Sequence, residues 1–285
     1  LLLGRLLGRR WVTPLEDELE PAARTLPLAA LLFVLLPFVR PPLWPPGNGW
    51  LDPDFLIARS LFYPVSWCLV GWLALRSTGR IAAAGGLALL LPTASIAGMD
   101  WVLARDPYWT PGLFGFAFAA SQLAPALGLA FLANALQREH VDRLHDRSLT
   151  SALLTLALAV PGLWFVQFLA AWMGNLPEEA AWYGARLAGT RWLPLALAAA
   201  MLGAAVLLLV QRHRGKWTVV GAAALLVFQH PLHMAWLLRP IGAPPLNPLD
   251  AAALLLLGGL WLAAWWALMR RHDRRLAQSG RPGSS

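Results

Sequence analysis

Cysteine is almost absent from this chain: Cys68 is the only one, and it lies inside an apolar run. A disulfide needs two cysteines and a cysteine-ligated metal cluster needs several, so this chain alone can build neither. We expect Cys68 to pack as a small apolar side chain. The sequence also lacks a Walker loop, a CxxC pair, an HExxH motif and the glycine fingerprint of dinucleotide-binding domains. Its motifs therefore give no support to nucleotide binding or zinc-dependent proteolysis.

Charged residues are scarce as well, at 13% of the 285 residues, whereas 58% are hydrophobic. A soluble domain of this composition would have too few polar side chains to cover its apolar surface. Two runs, 193–210 and 251–269, carry no charge at all, and each approaches the roughly 20 residues that cross a bilayer as a helix. The sequence therefore predicts an all-α fold, a polytopic bundle of transmembrane helices.

Apolar runs separated by short polar connections predict about eight spans. They are residues 26–40, 55–75, 81–104, 111–136, 149–173, 193–211, 217–238 and 250–269. On this prediction the chain has three parts: an N-terminal segment (1–25), the bundle (26–269) and a basic tail (270–285). The connections are too short to hold a soluble domain.

The basic residues predict the orientation of these spans. The formal net charge is +8, but the lysines and arginines lie in short clusters between spans, as in membrane proteins, so no nucleic-acid partner is expected. With the N-terminus in the cytoplasm, 17 of the 23 lysines and arginines fall on the inner side. Both termini are therefore predicted to be cytoplasmic, in a multi-pass protein of a lipid bilayer.

Acidic residues are found at two predicted outer boundaries. Glu178 and Glu179 follow Pro177, where the first turn of a short surface helix would favour negative charge. Because two adjacent carboxylates repel each other, one of them could instead take up and release protons. Asp100, near the outer end of the third span, could relay protons or bind a quinol hydroxyl. Alternatively it is a helix-end residue that is either hydrated or paired with Arg105.

Two histidines, His230 and His233, stand three residues apart and so share one face of the seventh span. Bis-histidine haem ligation is disfavoured, because the other four histidines lie in inner loops or the tail. A proton path or a polar cavity fits the pair better; ordinary hydrogen bonds between helices are the alternative. The predicted proton-path candidates are thus Asp100, Glu178, Glu179, His230 and His233.

Further polar side chains, Arg59, Gln167 and Asn175, lie within spans or at their outer ends. Together with Asp100 they predict a polar cavity in the outer half of the bundle. No metal site is predicted. The inner loop 138–147 contains two histidines, but its mixed charges are more typical of a solvated loop.

Three segments of the chain resemble a known family. Asp100-Trp101, followed by residues 106–110, resembles a segment of the NrfD-like membrane proteins of alternative complex III. Residues 167–183, with their Asn-x-Pro-Glu-Glu sequence, resemble a second segment of the same family, and residues 11–20 resemble a third. The similarity is greatest to the second of the two NrfD-like proteins in that complex, the ActF type. The chain differs in two places: His233 stands at an aspartate position of the family, and Thr110 at a serine position.

The resemblance implies a ten-helix subunit of a bacterial quinol:cytochrome c oxidoreductase in the cytoplasmic membrane, with two further helices upstream of residue 1. It implies a non-catalytic chain without its own cofactor, structural and contributing to proton translocation. The implied partners are a related quinol-binding subunit, an iron–sulfur protein and c-type cytochromes, so quinol, haem c and iron–sulfur clusters would be bound by those partners.

Two other functions remain open at the level of sequence. One is an NrfD-like, quinol-oxidising membrane anchor of a molybdenum or iron–sulfur reductase. The other is a standalone transporter or structural membrane protein, although no matched pair of broken helices suggests inverted repeats.

Overall fold

The computed structural model describes residues 1–8, 11–34, 52–102, 112–137, 147–187, 192–210, 216–238 and 248–278. Within these ranges the chain forms twelve α-helices and one 3₁₀ turn, Thr13–Leu15, and no strand. In chain order the helices are α1 (Leu2–Leu7), α2 (Glu16–Arg24), α3 (Leu26–Val34), α4 (Pro53–Arg76), α5 (Arg80–Trp101), α6 (Phe114–Ser121), α7 (Leu123–Gln137), α8 (Arg147–Gly174), α9 (Pro177–Leu187), α10 (Trp192–Val210), α11 (Lys216–Leu238) and α12 (Pro248–Gln278).

The described residues contain seven segments long and apolar enough to cross a membrane. They are Asp54–Arg76, Arg80–Trp101, Phe114–Leu136, Ser148–Gly174, Trp192–Val210, Trp217–Leu238 and Pro248–Arg275. The chain is therefore a multi-pass helical membrane protein, and seven of the predicted spans are confirmed. The remaining one, 26–40, is described only as far as residue 34, as helix α3; the rest of it lies outside the described residues.

The chain divides into two compact units. The first contains α1 to α4, the start of α5 and α12, and the second runs from the last residues of α5 to α11. In the first unit α3 packs on α4, and α2 contacts both α4 and α12. In the second, α11 packs on α7 and α10, and α8 contacts α6, α7, α10 and α11.

The N-terminal segment packs tightly against the spans of the first unit. The buried guanidinium of Arg5 donates hydrogen bonds to the carbonyls of Ala74 and Ser77 (2.9 Å for Ser77), at the end of α4. Trp265 Nε1 of α12 donates to the carbonyl of Glu18 at 2.9 Å. The Arg5 bonds satisfy carbonyls that the end of α4 would otherwise leave open, and the Trp265 bond fixes α2 against α12.

Small residues bring helices of the second unit close together. A Cβ atom on Gly128 of α7 would lie 3.0 Å from the carbonyl oxygen of Ala223 on α11. One on Gly115 of α6 would lie 2.7 Å from the carbonyl oxygen of Ser95 on α5. Such close approach is how transmembrane helices gain packing energy without a hydrophobic driving force.

Candidate functional site

A tight turn joins α8 to the short helix α9. Asn175 adopts a left-handed backbone conformation with φ 46°, which asparagine tolerates better than most residues, and its N–H donates to the carbonyl of Ala171 at 3.1 Å. Glu178 and Glu179 occupy the first turn of α9, so that prediction is confirmed. Glu178 is exposed and Glu179 is half-buried.

Aromatic rings from four helices of the second unit, the short helix α9 among them, form a continuous group, which we call the aromatic cluster. Its members are Phe114, Trp164, Phe168, Trp182, Tyr183, His233 and Trp236. Centroid distances between neighbouring rings run from 4.8 Å (Trp164–His233) to 6.3 Å (His233–Trp236). Most pairs meet edge to face, the arrangement that the ring quadrupole favours.

His233 is part of this cluster and is only 8% exposed. Its ring is edge-on to Trp164 and stacks on Trp236. The indole Nε1 atoms of Trp164 and Trp236 are buried and have no hydrogen-bond partner among the described residues. Buried donors of this kind normally find an acceptor, so the cluster offers two N–H groups to water, a ligand or another chain.

Asp100 lies at the same end of the second unit and is 3% exposed. The residues beside it, Met99 and Val102, pack in a buried group with Phe114, Trp182 and Trp236. The structure thus brings the segments that carry Asp100, His233 and the Glu178–Glu179 pair to one end of this unit.

Gln167 has a defined structural partner. Its Oε1 atom accepts a hydrogen bond from the backbone N–H of Leu113 at 2.7 Å, just before α6 begins. Gly112, with φ +40°, passes so close that a Cβ there would lie 3.0 Å from the same oxygen. Gln167 therefore satisfies a backbone donor at the start of a helix.

The three residues of the predicted polar cavity have different environments. Gln167 is buried and bonded to Leu113, whereas Asn175 is exposed in the turn after α8. Arg59 belongs to the first unit, where its guanidinium lies 4.4 Å from the centre of the Phe55 ring.

Arg186 was not predicted from the sequence, although it is central to this end of the unit. It is 6% exposed, lies 3.8 Å over the Trp182 ring and donates to the carbonyl of Leu237 at 3.5 Å. It thereby holds the surface helix α9 against the C-terminal end of α11, where the helix dipole favours a cation. The sequence feature that could have indicated the Arg186–Trp182 contact is the spacing of four residues between them on an amphipathic helix.

Tyr183 lies on α9, outside the spans. Burial raises the pKa of its phenol, and the neighbouring Glu179 carboxylate raises it further, while Arg186 opposes the rise. The hydroxyl therefore stays protonated at physiological pH and can both donate and accept a hydrogen bond.

His230 has a partner outside the aromatic cluster. Its Nε2 atom lies 3.1 Å from Oε1 of Gln122, at the junction between α6 and α7. Among the described residues no three His, Cys, Asp or Glu side chains come together in a way that could hold a metal ion. The loop 138–147 lies outside the described residues except for its last position.

No protein-family model matches the chain, and a search of curated proteins finds no significant match either. The site must therefore be interpreted from its own chemistry. It combines a buried carboxylate, a histidine and a neutral phenol with two indole donors at one end of a helical membrane unit. Groups of this kind can exchange protons or bind a small polar molecule.

Proposed function

We propose that this chain is an NrfD-like integral membrane subunit of a respiratory quinol:cytochrome c oxidoreductase, alternative complex III. It would reside in the bacterial cytoplasmic membrane with both termini inside, and would carry no redox centre of its own. Quinol, haem c and iron–sulfur clusters would be bound by its partners: a related quinol-binding subunit, an iron–sulfur protein and c-type cytochromes.

One observation carries this proposal. Two of the segments that resemble the family are separated by some sixty residues, yet residues adjoining the first pack against the second. Met99 and Val102, which flank Asp100, share a buried group with Trp182 and Tyr183 from the other segment. Segments that resemble one family and pack into one buried group are expected where they form a common functional or assembly site. Residence in a membrane alone does not require them to pack together.

Within such a complex the chain's own task would be to hold hydrated polar groups near one membrane surface. Asp100, Glu179 and His233 lie on the segments gathered at this end, and Glu178 is exposed to solvent there. One buried carboxylate, one half-buried carboxylate and one exposed carboxylate at the same end of a helical unit form an arrangement through which protons can leave a membrane protein. The proposed contribution is therefore structural, with a proton path through these residues.

The test is an affinity purification of the tagged chain from its native membrane in a mild detergent. The eluate would be stained for haem c, assayed for iron and for quinol:cytochrome c activity, and its subunits identified by mass spectrometry. An unrelated tagged multi-pass protein from the same membrane is the control. We expect c-type cytochromes and an iron–sulfur protein to co-purify with activity. A single chain without haem or quinol turnover would contradict the proposal and favour a standalone membrane protein.

A further inference from the structure

Two adjacent spans of the second unit are weakened by proline at neighbouring points. Pro125 has no N–H for the carbonyl of Ser121, and the helix is interrupted between them, α6 ending at Ser121 and α7 starting at Leu123. In α11, Pro231 likewise has no N–H for the carbonyl of Val227. Prolines in transmembrane helices are tolerated where other polar groups or water satisfy such carbonyls.

Between these two points Gln122 contacts His230, and the hydrogen bonds of Gln122 define the direction of the contact. Its Nε2 atom donates to the carbonyl of Phe118 at 3.2 Å and lies 3.4 Å from the hydroxyl of Ser121. The amide oxygen therefore faces His230 Nε2 at 3.1 Å. Because an amide oxygen can only accept, the hydrogen in this contact belongs to His230 Nε2.

A neutral imidazole with its hydrogen on Nε2 has a free lone pair on Nδ1. In His230 this Nδ1 atom is buried and has no hydrogen-bond partner among the described residues. The carbonyls released by Pro125 and Pro231 are acceptors too. His230 Nδ1 thus requires a donor, and the smallest molecule that donates two hydrogens, one to Nδ1 and one to a second acceptor, is water.

We propose that His230 Nδ1 binds an internal water molecule between α7 and α11, and that Gln122 sets the histidine tautomer required for this. Gln122 lies eight residues from the start of α6, a depth of about 12 Å at 1.5 Å per residue. The site therefore places a polar, water-binding imidazole well inside an apolar span. It goes beyond the proposed respiratory function and does not depend on any partner chain.

The test is solid-state NMR of the full chain in lipid nanodiscs, with nitrogen-15 in the histidine rings and at mildly alkaline pH. The His230→Gln variant identifies which signals belong to His230. We expect a hydrogen on Nε2, none on Nδ1, and a cross-peak from Nδ1 to a water proton. A hydrogen on Nδ1, or an Nδ1 without a water cross-peak, would overturn the proposal.

Two matched variants test the role of Gln122. In Gln122→Leu the Nε2–H signal should lose its hydrogen-bond shift, and the ring should become a mixture of tautomers. In Gln229→Leu the spectrum of His230 should stay as in the wild type, because the buried Gln229 amide donates to Leu226 of its own helix. An unchanged His230 spectrum in Gln122→Leu would refute the assigned tautomer control, and the wild-type spectrum decides the water site even if this variant folds poorly.

Discussion

Replacing Gly115 with alanine should force two helices of the second unit apart. The added Cβ atom would lie 2.6 Å from Met99 Cε and 2.7 Å from the carbonyl oxygen of Ser95. The methionine side chain can rotate away, but the carbonyl belongs to the backbone of α5 and moves only with that helix. Phe114, which precedes Gly115 and is fully buried against Trp164, prevents α6 from moving away from α5.

The size of the effect follows from two opposing contributions. Overpacking a close contact costs about 1–3 kcal/mol, and a clash with a backbone carbonyl belongs in the upper part of that range, about 2–3 kcal/mol. Alanine regains up to about 1 kcal/mol over glycine in a helix. The net destabilisation of Gly115→Ala should be about 1–2 kcal/mol. For a protein of this size that corresponds to a fall of roughly 2–8 °C in melting temperature.

The assay is thermal denaturation in mild detergent, read by size-exclusion chromatography of the heated sample and by tryptophan fluorescence. Gly162→Ala is the matched control, since a Cβ on this α8 glycine meets nothing within 4 Å. The control should melt at the wild-type temperature or slightly above it. If Gly115→Ala has the same melting temperature as Gly162→Ala, the close packing of α6 on α5 is wrong.

Three further predictions concern the end of the second unit. Arg186→Gln should destabilise the protein by about 2 kcal/mol, because a buried cation–π contact and a hydrogen bond are lost. Since Glu179 raises the pKa of Tyr183, Glu179→Gln should lower that pKa, measured by the ultraviolet absorbance of the phenolate. In the proposed complex, Asp100→Asn and Glu178→Gln should each lower coupled proton release more than electron transfer, measured as the proton-to-electron ratio.

Each of these has its own control. Arg270→Gln removes an exposed arginine that lies 5.4 Å from the Trp266 ring, so its cost should stay below about 1 kcal/mol; equal costs at Arg186 and Arg270 would refute the buried anchor. For the second prediction, the Tyr183→Phe variant gives the absorbance of the other tyrosines. An unchanged pKa of Tyr183 in Glu179→Gln would contradict the electrostatic coupling between Tyr183 and Glu179. Unchanged proton-to-electron ratios in both carboxylate variants would exclude the proposed path.

The raised pKa of Tyr183 also predicts a pH dependence of folding. Its pKa is higher in the folded state than the ordinary value of about 10 in the unfolded chain. As the pH rises, the unfolded chain therefore loses this proton before the folded chain does. The contribution of the protonated Tyr183 to folding stability is complete below pH ~10 and is lost progressively above it. Tyr183→Phe should flatten this part of the stability profile.

The spans were predictable because twenty-residue apolar runs admit few other structures in a lipid bilayer. The first turn of α9 was predictable as well, since proline and two glutamates match the geometry and dipole of a helix start. Both features depend on local sequence. A shared end for Asp100 and His233 could be suggested only from the order and orientation of the spans.

The contacts within that end could not be predicted. The spans are apolar on nearly every side, so their sequences give no strong periodicity to show which face of each helix is turned inward. The pairing of Gln122 with His230, and the placement of Arg186 over Trp182, depend on the rotation and tilt of helices that are far apart in sequence. The hydrogen bond from the N–H of Leu113 to Gln167 could not be predicted either, because a backbone donor is present in nearly every residue and leaves no signal in the sequence.

The most direct test of the proposed function is to delete this chain from its native cells and to reintroduce it. Membranes from the two strains would be compared for quinol:cytochrome c activity and for the haem c-stained complex on a native gel. We predict that the complex and its activity disappear on deletion and return with the wild-type chain. An intact, active complex in membranes that lack the chain would contradict its assignment as a subunit.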